Sequence, residues 1–246
     1  SKGVCKKPVI MTTHGGPPRM ILEDEVVIDA AFLAAPCTDD AGNVSGSEGK
    51  SSCGSLGYAA ADAQKAKKTV AVTDCRVRAV KKPDIEGRFV DFVAEVERIG
   101  DPAGIVSGTT QITKDPIGLK IARDCRTLIE HSGLFKDGFS MQTGAGGISL
   151  AVADEMHRSM KENNIRGSFG CGGITGYFVQ MLEEGLFEHL YDVQCFDLAA
   201  VDSVEKNKTH HKISADLYAN PNNPAHIAGK LDVVILGASE IDLDFN

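Results

Sequence analysis

The segment Phe139-Ser-Met-Gln-Thr-Gly-Ala-Gly-Gly-Ile-Ser-Leu sets a glycine run, Gly144, Ala145, Gly146 and Gly147, between a strand-like stretch and a helical pattern. Glycines let a backbone approach a ligand closely, and a helix N-terminus offers free N–H groups to an anionic oxygen. A tight strand-to-helix turn without a ligand would use the same residues. Two familiar nucleotide loops fit poorly. A Walker A loop closes on Gly-Lys-Ser/Thr, whereas Gly147 is followed by Ile148. A dinucleotide fingerprint needs a third glycine where Ser149 stands, and an acidic residue about 20 positions on. The next strand-like run instead ends in Phe169-Gly-Cys-Gly-Gly.

Other candidates lie on either side. Gly170-Cys-Gly-Gly-Ile-Thr-Gly, which contains Gly172 and Gly173, again falls between strand and helix patterns. Ligands gather at the carboxyl ends of strands in parallel α/β sheets, so two such loops could share a pocket; a sterically tight turn is the alternative. Thr38-Asp-Asp-Ala-Gly-Asn carries Asp40, Gly42 and Asn43 after an apolar run, and these residue types also favour plain turns. His14, ahead of Gly15 and Gly16, could act as a base or contact an acid, but no partner is visible and a structural role is favoured. Cys53 and Cys171 have no base or charge adjacent in sequence and read as bystander thiols. His210-His211, with Lys206, Lys208 and Lys212 around it, reads as solvated surface, and no metal-ligand spacing is present.

These residues need elements to hold them. Apolar runs at 8–13, 26–35, 69–74, 89–96, 139–143, 166–169, 191–196 and 231–237 predict strands, several of them continuous enough to be buried on both faces. Asp115-Pro116 predicts a helix start, with Ile117, Ile121, Cys125, Leu128 and Ile129 on one face and Gly133 at its end. Further helices are predicted from the glycine run to about Asn163 and near 55–67, 175–184 and 198–206. The alternation predicts an α/β fold with mostly parallel sheets. The Gly, Pro, Ser and Thr between Gly100 and Thr113 suggest a boundary between two sub-domains.

The 246 residues are 42% hydrophobic and 24% charged, with a formal net charge of −8, which gives no reason to expect nucleic acid or an anionic membrane as partner. No apolar run is long enough to span a bilayer. Seven cysteines, an odd number without a CxxC pair, read as reduced thiols of a cytosolic protein. The start at Ser1 and the stop just past a strand-like run suggest a piece of a longer protein. The uncovered run at 231–237 is then expected to leave an apolar face exposed.

Taken in order, His14-Gly-Gly, Asp40-Ala-Gly-Asn, Val106-Ser-Gly-Thr-Thr, Gln142-Thr-Gly-Ala-Gly-Gly, Gly172-Gly-Ile-Thr-Gly-Tyr, Met181-Leu-Glu-Glu-Gly-Leu-Phe, Asp192-Val-Gln-Cys-Phe-Asp-Leu and Tyr218-Ala-Asn-Pro resemble the citrate lyase α subunit family. So does the ending Val233-Val-Ile-Leu-Gly-Ala-Ser-Glu-Ile-Asp-Leu-Asp-Phe-Asn. Single motifs are weak; this many in order over nearly the whole chain is specific. The resemblance implies a citrate CoA-transferase that exchanges acetate for citrate on the thioester of an acyl carrier protein. CoA thioesters would be able to stand in for the carrier's CoA-derived prosthetic group. It implies a β subunit and the acyl carrier protein (γ subunit) as partners in an oligomeric cytoplasmic complex, citrate and acetate as small molecules, no tightly bound cofactor and no metal.

The fold it implies is that of CoA transferases: two open α/β domains, here 1–113 and 114–246, both partial. Gly144, Ala145, Gly146, Gly147, Gly172, Gly173, Asp40, Gly42, Asn43 and Asn220 would line the substrate and CoA site. A catalytic glutamate is expected beyond Asn246, so the isolated chain is expected to be inactive. Two alternatives stay open: a non-catalytic CoA-binding or assembly fragment, and a sugar-phosphate isomerase of similar fold.

Overall fold

A computed structural model describes residues 9–105, 110–238 and 240–244. The first part of the chain forms α1 (Gly16–Leu22), β1 (Ala31–Ala35), β2 (Cys37–Asp39), β3 (Val44–Ser45), α2 (Ala59–Lys65), β4 (Thr69–Thr73), β5 (Arg76–Val77) and β6 (Phe92–Glu95). Strands β1, β4 and β6 make a three-stranded parallel sheet in that order. Its core is small, with Ala31, Leu33, Ala35, Val44, Ala60, Ala63, Ala71 and Ile85 at its centre. A second sheet, β3-β2-β5, holds the 40–43 turn.

The rest forms α3 (Pro116–His131), β7 (Ser140–Thr143), α4 (Gly147–Asn163), β8 (Gly167–Ile174), α5 (Gly176–Glu183), β9 (Phe187–Cys195), α6 (Leu198–Lys206), β10 (His210–Lys212), α7 (Ala215–Ala219) and β11 (Val233–Ile235). The five strands are all parallel, in the order β10-β9-β8-β7-β11. Helices α3 to α6 cover one face over a core of Phe139, Met141, Met156, Met160, Phe178, Phe187 and Leu190. The other face carries Cys171, Val193, Ile213 and Tyr218, with Tyr58 of the first part packed on it. This is the α/β, mostly parallel architecture expected.

Local chemistry accounts for the best-read elements. The Asp115 carboxylate caps α3 by accepting from Gly118 N at 2.9 Å, and Pro116 fills the first turn. Asp197 caps α6 in the same way through Ala200 N at 2.9 Å. Val234 and Leu236, at the end of β11, are 50% and 66% exposed.

Other expectations are corrected. Residues 9–13 form no strand, because no strand runs beside them. Of 26–35 only the second half is strand, since β4, its partner, begins opposite Ala31. Strands β8 and β9 run longer than the apolar runs that signalled them, and β8 passes straight through the glycines at 170, 172 and 173. His210 is not solvated surface: it starts β10 and is 2% exposed. Most of the Val106–Thr110 motif lies outside the described residues.

Candidate functional site

The order of the five-stranded sheet reverses beside β7: β8, β9 and β10 follow outward on one side, and β11 returns to the other. A ligand crevice opens outside the carboxyl ends of strands at such a reversal. The Gly144–Gly147 run sits there, at the end of β7. Gly144 N–H donates to the Ile235 carbonyl of β11 at 2.9 Å, and the Gly147 carbonyl accepts from Thr113 N at 3.0 Å. Both ends of the loop are therefore pinned. A Cβ on Gly147 would sit 3.0 Å from Gln111 O, and one on Gly144 3.3 Å from Ser149 Oγ. Between them, Gly146 is exposed, and a Cβ added there meets nothing within 4 Å. Gly146 at the N-cap has no side chain, and among the described residues no side-chain cap is made there, so the N–H groups of Gly147, Ile148 and Ser149 have no intrahelical acceptor. With Ala145 and Gly146 as its lip, the loop offers donors and a helix dipole to an anionic oxygen.

Behind the loop stands a polar wall that sequence reasoning missed. Gln142 Nε2 donates to the Tyr218 hydroxyl at 2.7 Å, and both side chains are buried. Gly172 lies flat against Gln142, where a Cβ would come within 3.0 Å of its side-chain amide carbon. Gly172 has φ +107 at a bulge in β8. Gly173 has a different duty, because the Phe196 ring occupies the space of its missing side chain. The two glycines thus belong to the strand and its packing rather than to a second free loop: Gly172 is backed by Gln142, and Gly173 lies under the Phe196 ring. Nothing in the sequence signalled the meeting of Gln142 and Tyr218, since Tyr218 lies 76 positions from Gln142 and outside every apolar run.

Asn220 is 5% exposed at the end of α7, where its Nδ2 donates to Asp216 and its Oδ1 accepts from Asn222 N at 2.9 Å. It orders the turn after α7. That turn is pressed against the 14–16 segment, since a Cβ on Gly15 would overlap the Ala219 carbonyl. His14 finds a partner in the Tyr58 hydroxyl, 3.3 Å from Nδ1. The motifs around His14, Gln142, Gly172 and Tyr218 therefore converge on the carboxyl edge of the sheet.

The Asp40, Gly42 and Asn43 turn stays apart from them. Asp39 organises it, accepting from Ala41 N, Asn43 N, Asn43 Nδ2 and Val80 N at 2.9–3.1 Å. Burial opposes its ionisation, but these bonds outweigh it and hold the carboxyl below its ordinary range. Asn43 Oδ1 accepts from Gly87 N at 2.8 Å, Gly42 packs on Gly87, and Asp40 pairs with Arg76 at 3.2 Å. All of these bonds stay within residues 39–87.

Burial pushes the Cys53 thiol up to about 11 and the Cys171 thiol up to about 12, so neither is a nucleophile at neutral pH. A buried chain runs from Asp192, which accepts from His210 Nε2 at 3.1 Å and from the Cys195 thiol at 3.0 Å, to Ser203 Oγ, 2.9 Å from His210 Nδ1. It is sealed between β9, β10 and α6 and braces the sheet. Among the described residues no group of three or more His, Cys, Asp or Glu is placed to hold a metal ion, and no helix is long and apolar enough to cross a membrane.

The family model "Citrate lyase, alpha subunit (CitF)" matches residues 1–246. The chain belongs to the citrate lyase alpha subunit family. It is 45% identical over 247 residues to the citrate lyase alpha chain of Klebsiella pneumoniae and 44% identical to that of Haemophilus influenzae, matching 100% of this chain and 49% of each relative. It thus spans about half the length of these relatives. A crystal structure of an alpha subunit of citrate lyase from Streptococcus mutans, in complex with citrate, superposes with a TM-score of 0.93 at 43% identity, over 99% of this chain and 48% of that one. The fold described above is thus that of citrate lyase alpha subunits.

Proposed function

We propose that the chain provides the switch-point half of a citrate CoA-transferase, which exchanges acetate for citrate on a CoA or acyl-carrier-protein thioester. The products are the citryl thioester and acetate. Membership of the citrate lyase alpha subunit family supports the reaction class, and the uncapped loop at the sheet reversal is the observation that carries the site. When a carboxylate attacks a thioester, negative charge develops on the carbonyl oxygen. Donors fixed beforehand stabilise that charge, each being worth on the order of 100–1,000-fold in rate. The N–H groups at the lip formed by Ala145 and Gly146 and in the first turn of α4 are fixed in this way, because Gly144 and Gly147 are tied down on either side.

The remaining assignments belong to the same reading. The thioester co-substrate is CoA or the CoA-derived prosthetic group of the acyl carrier protein. The carrier and a lyase β subunit are the partners, and the complex works in the cytoplasm on citrate and acetate. The catalytic carboxylate is proposed to come from the part of the relatives that this chain does not match, so the 246-residue chain alone is expected to show no turnover. Residues 1–113 and 114–246 are proposed as contributions to two CoA-transferase-like domains.

The test is a chimera in which this chain replaces the matched half of the Klebsiella pneumoniae alpha chain, supplied with acetyl-CoA and citrate. Release of acetate with formation of citryl-CoA is expected. A chimera that folds and assembles yet forms no citryl thioester would contradict the reading.

A further inference from the structure

A cleft of about 520 Å³ lies between residues 53–59 and the carboxyl end of β9. Its walls include Leu56, Tyr58, Val193 and Phe196, and Gln194 and Cys53 stand along it. Ile105 also lines it, and among the described residues no Asp, Glu, Lys or Arg does. The contrast with the groove beside α6 is plain, since that groove is edged by Glu183, Asp202, Lys206 and Lys208. A site without a cation is a poor host for citrate or for a diphosphate, because a buried anion needs a partner. Apolar walls with a few neutral polar groups suit a chain of methylenes interrupted by amides.

Two further observations point to an occupant. Ser55 lines the cleft at 7% exposure, and its hydroxyl has no partner among the described residues. A buried hydroxyl with no partner among the described residues is available to a donor or acceptor on an occupant of the cleft. The cleft also opens on the same edge of the sheet as the proposed reaction centre, since β7, β8 and β9 run parallel. Phe196 fills the space over Gly173, Tyr58 reaches His14, and β9 lies two strand spacings, about 10 Å, from β7.

We infer that this cleft receives the pantetheine stretch of the thioester co-substrate, with Gln194 and Ser55 meeting its amides. The inference rests on the transferase reading above and adds where the arm lies. The thiols beside the arm are compatible with such a passenger. Burial raises both Cys53 and Cys195, so they stay protonated and do not attack the thioester as it passes.

The probe is S-acetylpantetheine, which is neutral, and the readout is the slow maleimide labelling of Cys53 at about pH 9, where a small fraction of thiolate forms, followed by peptide mass spectrometry. Cys125 on α3 serves as the internal control. S-acetylpantetheine is expected to slow Cys53 labelling at least tenfold while leaving Cys125 unchanged, and citrate alone is expected to give no protection. Gln194 is exposed, so Gln194→Trp fills the cleft without disturbing the core. It should abolish protection at an unchanged melting temperature and raise the KM for acetyl-CoA of the chimera at least tenfold. Protection by citrate, absence of protection by S-acetylpantetheine, or protection that survives Gln194→Trp would each overturn the inference. Exchange with an unchanged KM in the Gln194→Trp chimera would remove the cleft and leave the transferase standing. Protection lost in Gln194→Trp, together with a chimera that never forms citryl thioester, would keep the cleft and remove the transferase.

Discussion

Gly172 and Gly173 are adjacent, yet different neighbours hold them. Gly173 gives its space to the Phe196 ring, 23 positions later in sequence, and Gly172 gives its space to Gln142 while adopting φ +107. Gly173→Ala should therefore cost about 1–3 kcal/mol by overpacking, read as a lower urea midpoint at unchanged slope. An unchanged midpoint would mean that the ring is free to move aside. The sequence shows that glycines cluster here, and that much pointed to a constrained segment. It cannot show which side chains fill the vacated space, because those come from other strands and turns. Gln142, Tyr218 and the Asp192–His210–Ser203 chain were illegible for the same reason. Each is an ordinary polar residue until the sheet sets it beside its partner.

At the level of elements, capped helices and apolar runs were readable, and strands made of small or polar residues were not. Helices α3 and α4 announce themselves through Asp115 and the glycine run, while the Asp197 cap of α6 shows only in the structure. Strand β10 reads His210-His211-Lys212 and is strand only because β9 runs parallel beside it. Strand β8 hides its length behind glycines that aromatic rings from α5 and beyond require. Helices α4 and α5 are further joined at Glu184. Gln180 first, then His157 and Lys161, hold its carboxyl at about 2, down from 4.5. A carboxyl with a depressed pKa stabilises the fold above its unfolded value and loses that contribution as pH falls toward the folded one. The melting temperature of Glu184→Gln should therefore lie below that of the parent near pH 6, and the gap should close between pH 4.5 and about 2. High salt should shrink the gap. A gap that persists at pH 2 would contradict the assignment.

Across the whole molecule, the five-stranded sheet is tied to the first part of the chain at a buried ion pair. Lys212 Nζ lies 2.6 Å from Asp84 Oδ2 and donates to the Lys82 carbonyl at 2.7 Å, while Asp84 also accepts from Gly46 N at 2.8 Å. Asp84→Ala leaves the ammonium enclosed without its counter-charge and should cost about 3 kcal/mol or more. Adding Lys212→Met should restore part of that loss. If Asp84→Ala were neutral in chemical denaturation, the tie would be dispensable.

The central claim is that the reacting oxygen meets the loop at the end of β7. Gly146 gives a clean probe of it. Its φ of −69 and ψ of 153 suit any residue, and a side chain there enters open space, so Gly146→Val meets no clash and costs only the N-cap preference for Gly over Val, about 1 kcal/mol or less. The decisive measurement is the rate of citryl-thioester formation by the chimera carrying Gly146→Val, taken with its unfolding midpoint. The account predicts a midpoint lowered only slightly, by the lost N-cap preference, and a rate lower by about two orders of magnitude. An unchanged rate in the folded variant would place the chemistry elsewhere.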